Sequence, residues 1–240
     1  MDKSLREYAD ACARLDSALD LQRESVRFFR ARGLKMLGYH HIPPPGAHDA
    51  DRADLIFAFG FPKKMVRQYI DQRYFEIDPI PRIAQARTKP FRWGELSGSP
   101  EISQREQDFM DIVAELELEN GLAIPVFGPH GQNGYCGLNY GPGADVCSDV
   151  EVTILQEACL LFHLKYCELH PLPRPSADLS VREKVTLRLV AKGLSNAQIA
   201  AEMHISASTV DTNLRRIFKK LGVRDRVSAA LRGIMVGVYD

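Results

Sequence analysis

LSVREKVTLRLVAKGLSNAQIAAEMHISASTVDTNLRRIFKKLG, residues 179–222, decides how this chain is read. The stretch divides into short capped segments. Ser180 with Glu183 three residues on is a capping box, and Ser195 with Gln198 is a second. Each pair satisfies amide N–H groups that a helix start leaves without partners. Gly193 stands where the first helix needs a left-handed terminator, and the short gap to Ser195 forces a sharp turn into the second helix. Ser206 caps a third, in which Val210, Leu214, Ile217 and Leu221 recur at helical spacing as one buried stripe. Ser208, Asp211, Thr212, Arg215 and Lys219 lie on the other faces, flanked by Arg216 and Lys220. One side therefore packs on the preceding helices, while the opposite side offers hydroxyls and guanidinium groups. A helix of that width fits the DNA major groove.

The same spacing also suits a small helical bundle with a solvated charged face. Charge distribution favours the nucleic-acid reading. The chain is neutral overall, with 31 Lys+Arg against 31 Asp+Glu, yet residues 176–240 hold 11 basic and 6 acidic side chains. A net of +5 in the tail balances −5 in the rest, and phosphate binding responds to that local field.

Working outward, the segment HPLPRPSAD at 170–178 carries prolines at 171, 173 and 175. Alternating proline removes amide donors and favours extended chain. It reads as a linker between an N-terminal domain, 1–169, and a helix-turn-helix domain, 179–240. The N-terminal part alternates element types. Residues 3–33 read as helix, 36–41 as a strand, 42–46 (IPPPG) as a loop, and Leu55–Phe59 as a buried strand. Pro62 opens a helix to about Arg73, and Asp78-Pro79 starts another. Phe91–Trp93 is a short strand. Ser103 and Glu106 box a helix expected to run to Gly121, Leu122–Phe127 and Tyr135–Tyr140 pair as a hairpin, and Ser148 caps a last helix. The expected fold is α+β: an α-β-α sandwich on a mainly antiparallel sheet, followed by an all-α four-helix unit.

No apolar run approaches a membrane span, and the charged N-terminus MDKSLREYAD lacks the apolar core of a signal peptide. A cytoplasmic protein with no membrane partner is expected. The five cysteines, at 12, 136, 147, 159 and 167, show no metal-like spacing and read as reduced and structural. The seven histidines, His40 and His41 included, form no triad or metal set and read as surface or structural. No G-x-S-x-G, phosphate-cradling loop or metal motif is present, so neither an enzyme nor a cofactor is expected.

With these residues in view, the chain resembles the LuxR family of quorum-sensing regulators over nearly its whole length. In the tail, Glu183, Leu187 and Gly193, with the runs GLSNAQIA, ISASTV and IFKKLGV, are similar to the family's DNA-binding domain. In the first part, Tyr69, Asp78, Pro79, Trp93 and Gly121 match positions that mark its acyl-homoserine-lactone-binding domain, and YIDQRYFEIDPI is especially similar. The resemblance implies that Asp78 accepts from the ligand amide N–H, that Tyr69 donates to the amide carbonyl and that Trp93 packs on the lactone ring. Gly121 would allow close backbone approach. Tyr140 falls near another polar contact of the family, and Leu55, Phe57 and Phe59 alternate to line the acyl tail. Plain structural readings stand beside these. Asp78 before Pro79 is a favourable helix cap, and Tyr69 and Trp93 suit ordinary core packing.

Two positions depart from the family. Met65 stands where the family usually has a tryptophan whose indole donates to the lactone carbonyl; a thioether has no donor. In the family, methionine there marks some regulators that answer plant-derived compounds, so a lactone, a non-lactone ligand and no ligand at all stay open. Asp211 and Asn213 replace a usual basic residue and a histidine. A carboxylate there accepts from cytosine or pairs locally with Arg215; an altered operator, weakened DNA binding and a non-DNA-binding partner in inactive heterodimers all follow as readings. Arg215 is the residue expected to read guanine, and Thr209, Arg216, Lys219 and Lys220 are suited to phosphate. The resemblance further implies a small-molecule signal, a homodimer on an inverted repeat of double-stranded DNA, and RNA polymerase as a partner. Val227, Ala230, Leu231, Ile234 and Met235 on the last helix form an apolar face that, by the resemblance, would pair the two DNA-binding domains, or would cover the core of its own domain.

Overall fold

Two helices, not one, fill the first thirty residues of the computed structural model, which describes residues 2–42, 56–144, 147–171, 179–235 and 238. Ser17 makes the break between α1 (Lys3–Ala13) and α2 (Ala18–Ala31): its hydroxyl accepts from the Asp20 amide and starts a second helix. β1 (Met36–Ile42) and β2 (Ile56–Phe59) follow. Then come α3 (Lys63–Asp71), α4 (Pro79–Ala86), β3 (Phe91–Arg92) and α5 (Gln104–Glu115). β4 (Leu122–Phe127), β5 (Asn133–Asn139) and α6 (Asp149–Leu169) complete the first part. α5 stops well short of Gly121. Glu117 takes the left-handed conformation at φ 56°, and the Leu118 amide reaches back to the Val113 carbonyl at 3.0 Å. This helix-terminating motif turns Leu118 into the core.

The strands form one antiparallel sheet in the order β2-β1-β5-β4-β3. Side chains alternate between its faces. Leu37, Tyr39, Cys136, Leu138, Ile124 and Val126 face the cluster built with α1, α2 and α6. Met36, Ala123 and Tyr135 face the cluster built with α4 and α5. Helices on both faces of an antiparallel sheet make the α-β-α sandwich that the sequence led us to expect.

The chain divides into two compact units, with α6 and the next helix on opposite sides of the division. The α-helices of the second unit are α7 (Val181–Ala191), α8 (Asn196–Glu202), α9 (Ala207–Leu221) and α10 (Arg226–Met235). Both capping boxes form, and Gly193 sits at φ 82°, the left-handed terminator its position requires. Leu187, Ile199, Val210, Ile217 and Ala229 close its core, each with no exposed surface. Residues 172–178 of the proline-rich segment, the loop residues 43–46, Leu55, and the side chains of Ile234 and Met235 lie outside the described residues. Among those described, no helix is long and apolar enough to cross a membrane.

Candidate ligand cavity and nucleic-acid interface

A cavity of about 100 Å³ lies on the sheet face that carries Gly38, His40, Tyr135 and Gly137. α3 borders it through Met65, Val66, Tyr69 and Ile70, and no residue of that helix is buried. Ile80, Phe109 and Val113 supply further apolar wall, and Asp78 is the one carboxylate among the lining residues.

Asp78 is held from two directions. It caps α4, with Oδ1 accepting from the Ile80 amide at 2.9 Å, while Oδ2 accepts from the Tyr69 hydroxyl at 2.9 Å. Helix capping and cavity lining thus coexist in one carboxylate. Burial raises its pKa from 3.8 to about 7, because the hydrogen bonds from Ile80 and Tyr69 only partly offset the lost hydration. Burial, with Asp78 alongside, also pushes the Tyr69 phenol far above its ordinary range.

Trp93 begins a short 3-10 turn after β3 and lines the cavity, with its indole Nε1 buried and without a hydrogen-bond partner. Gly121 explains its placement. A Cβ at 121 would stand 2.2 Å from the Trp93 ring, and the Trp93 amide donates to the Gly121 carbonyl at 2.8 Å. The glycine is needed for close approach to the indole, and it is not among the lining residues.

Two expectations need correction. Tyr140 does not reach the cavity: it lines a separate space with Phe28, Arg32 and Glu151 and packs against the cluster of α1, α2 and α6. Period two decides this, since Tyr135 and Gly137 face the cavity and position 140 has the opposite parity. Phe57 is among the lining residues, while it also pairs with Tyr39 in register and, with Phe59, packs on the inner cluster; Ala58 has the cavity-facing parity. His40 is no surface residue. It lines the cavity, and burial lowers its pKa to about 4. His41 turns to the other face, where both ring nitrogens are buried without partners. His40 and Tyr135 were legible in principle, since strand alternation from the Gly38–Gly137 pair assigns their face.

In the second unit, Ser208, Thr209, Thr212, Arg215, Arg216 and Lys219 are exposed on α9. The Ser206 hydroxyl caps the helix, accepting from the Thr209 amide at 3.1 Å, and Thr212 donates to the Ser208 carbonyl at 3.0 Å. Asp211 pairs with Arg215 one turn on, at 2.7 Å. Lys220 departs from its expected part. Its ammonium sits 2.7 Å from the buried Glu183 carboxylate, which also accepts from the Ser180 amide at 2.7 Å. Burial opposes ionisation of Glu183, yet Lys220 and Ser180 hold its pKa below the ordinary range. Asn213 is buried, its amide donating to the Thr186 hydroxyl at 3.4 Å, so it packs rather than reads. On α10, Val227 is 68% exposed while Ala229 is buried.

Residues 17–166 match the family model of the autoinducer binding domain, and residues 177–232 match that of bacterial regulatory proteins of the luxR family. The chain belongs to the LuxR family. It is a transcriptional regulator of quorum-sensing type, not an enzyme, with an autoinducer-binding domain and a DNA-binding helix-turn-helix. It is 24% identical over 236 residues to the transcriptional activator protein BjaR1 of Bradyrhizobium diazoefficiens, covering 91% of this chain and 97% of that one. It is 27% identical over 186 residues to y4qH of Sinorhizobium fredii, a match that spans 75% of this chain and 56% of y4qH. Among solved structures it is similar in fold to Escherichia coli SdiA, with a TM-score of 0.75, 17% identity and 98% of each chain covered. SdiA has also been solved in complex with octanoyl-rac-glycerol, with a TM-score of 0.75 and 16% identity over 98% of this chain and 96% of that one.

Proposed function

We propose that this regulator senses an N-acyl-homoserine lactone in the cavity of its first unit and binds an inverted-repeat operator as a homodimer. The observation that carries the reading is a carboxylate–phenol pair, Asp78 and Tyr69, set in a largely apolar cavity. An acyl amide buried there needs one acceptor for its N–H and one donor for its carbonyl. Leaving either unmet costs roughly 1–3 kcal/mol. On binding, the Tyr69 hydroxyl turns its one proton from Asp78 Oδ2 to the ligand carbonyl, which frees that oxygen to accept the amide N–H, and Trp93 offers a flat face for the lactone ring. Ligand fills space that α3 borders without burying any residue of its own. Occupancy therefore stabilises the folded first unit by mass action.

On the DNA side, Arg215 reads the base edge, and Ser208, Thr209, Thr212, Arg216 and Lys219 position the helix on phosphate. Lys220 contributes chiefly to holding α9 on α7. The exposed Val227 on α10, beside Ala230 and Leu231, pairs two second units so that their recognition helices meet half-sites about one helical turn apart. RNA polymerase is the next partner in that arrangement, which operates in the cytoplasm.

Met65 favours a second reading, a non-lactone molecule with an acyl tail. The thioether supplies no donor for a lactone carbonyl, and SdiA, of similar fold, has been solved with an acylglycerol. Mass spectrometry of the small molecule that co-purifies from a signal-producing host distinguishes the two. An acyl-homoserine lactone mass supports the first reading, and an occupant without the lactone rejects it. Met65→Trp should lower the lactone concentration for half-maximal reporter output, and no gain at any chain length counts against the assigned head-group position.

A further inference from the structure

The cavity floor carries a polar side chain that recognition of the amide does not use. His40 on β1 lies directly opposite Tyr135 on β5, and the two rings stack with centroids 4.7 Å apart and planes 25° apart. Tyr69 meets the imidazole edge-on at 6.2 Å. Stacking uses the face of a ring and leaves its edge free, and on imidazole both nitrogens lie in that edge. Neither has a hydrogen-bond partner among the described residues. Burial keeps the ring neutral at physiological pH, with its pKa lowered to about 4. It therefore offers one N–H donor and one acceptor. Such a ring in an apolar cavity is destabilising until something pairs with it.

The neighbouring floor locates the missing partner. The next cavity-facing pair along the same two strands is Gly38 opposite Gly137. Bare backbone there leaves room above the sheet, and the Trp93 ring comes within 3.1 Å of where a Gly137 Cβ would stand. Two residues of strand separate this step from His40, about 7 Å. A ligand whose ring lies on Trp93 and whose amide meets Asp78 and Tyr69 brings the first carbons of its acyl chain over that interval.

We propose that His40 is a specificity-determining residue that hydrogen-bonds an oxygen, hydroxyl or oxo, carried on the acyl chain close to the amide carbonyl. The proposal rests on the lactone reading above and narrows it to acyl-homoserine lactones oxygenated near the head.

The test uses the full-length protein in a reporter strain that makes no signal of its own. The probes are matched sets of N-acyl-, N-(3-oxoacyl)- and N-(3-hydroxyacyl)-L-homoserine lactones at several chain lengths. The wild-type protein should respond to an oxygenated member at roughly two- to tenfold lower concentration than to its plain counterpart, the fold-change of one net hydrogen bond. His40→Phe preserves the stack on Tyr135 and should lose that preference while still answering the plain lactones. A wild-type response that ignores the oxygen, or a His40→Phe response that keeps the preference, overturns the proposal and leaves the lactone reading standing. Silence toward every lactone overturns both. Should His40→Phe fail to fold, the mass of the ligand co-purified with the wild-type protein decides: an acyl chain without the extra oxygen defeats the proposal.

Discussion

Asp78 should make lactone affinity depend on pH in a way that distinguishes this cavity from a simple apolar one. In the empty protein, burial sets the Asp78 pKa at about 7. A ligand amide N–H bonds more strongly to the ionised carboxylate than to the neutral acid, so the proton that Asp78 carries below pH 7 opposes binding. Each pH unit below the pKa then costs about 1.4 kcal/mol. Between pH 7.5 and pH 5 the ionised fraction falls about seventy-five-fold, and the affinity should fall by up to that factor. Stability of the empty protein runs the other way. The pKa is raised on folding, from 3.8 to about 7, so the folded state keeps a proton that the unfolded chain releases. The stability this proton linkage contributes is complete below pH 3.8 and is lost as the pH rises through 7, to a limit of about 4 kcal/mol. Asp78→Asn keeps an acceptor for the Ile80 amide but turns an N–H toward the ligand. It should raise the urea midpoint of the empty protein at pH 8 and, at the same time, weaken lactone binding and flatten its pH profile. Tracer displacement across this range, with urea titrations of both proteins, checks each part. A wild-type affinity that stays level from pH 7.5 to 5, with Asp78→Asn binding equally well, refutes the assignment.

Gly121→Ala places a methyl group 2.2 Å from the Trp93 ring, where no flexible end can yield; overpacking of this kind costs about 1–3 kcal/mol. The cavity should change shape with it, so both melting temperature and lactone response should drop, and an unchanged response would falsify the glycine's role. Glu183→Ala strips partners from Lys220 and the Ser180 amide. Because Lys220 can turn to water, the loss should be about 1–3 kcal/mol in thermal unfolding of the second unit, and equal unfolding curves would deny the pair a structural part. Asp211→Asn releases Arg215 from its ion pair and removes a charge that phosphate repels. It should strengthen binding to random DNA and steepen the salt dependence, whereas identical gel-shift curves would leave Asp211 without influence on the interface. Arg215→Ala should relax sequence preference, and Lys219→Ala should weaken binding on every sequence alike. Equal losses for Arg215→Ala on operator and random DNA contradict the first half.

Local chemistry made most of the second unit readable in advance. Capping boxes, the glycine terminator and the stripe of Val210, Leu214, Ile217 and Leu221 are short-range signals, and each governs hydrogen bonds within a few residues of itself. What lay beyond them was pairing at a distance. That Lys220 serves Glu183, thirty-seven residues away, and that Asn213 packs against Thr186, follows only from how α9 lies on α7.

In the first unit the sequence alone determined the layered α+β class and the presence of Tyr69, Asp78 and Trp93 at telling intervals. Strand alternation is local as well, but which face of the sheet closes over a cavity is not. That depended on the register of β1 with β5 and on where α3, α4 and α5 come to rest. Tertiary packing therefore sent Tyr140 to the far side, turned Phe57 toward the inner cluster, and brought His40 and Tyr135 in to complete the floor. A one-residue step along a strand moves a side chain through the sheet, and no intrinsic preference of tyrosine or histidine records which side will be enclosed.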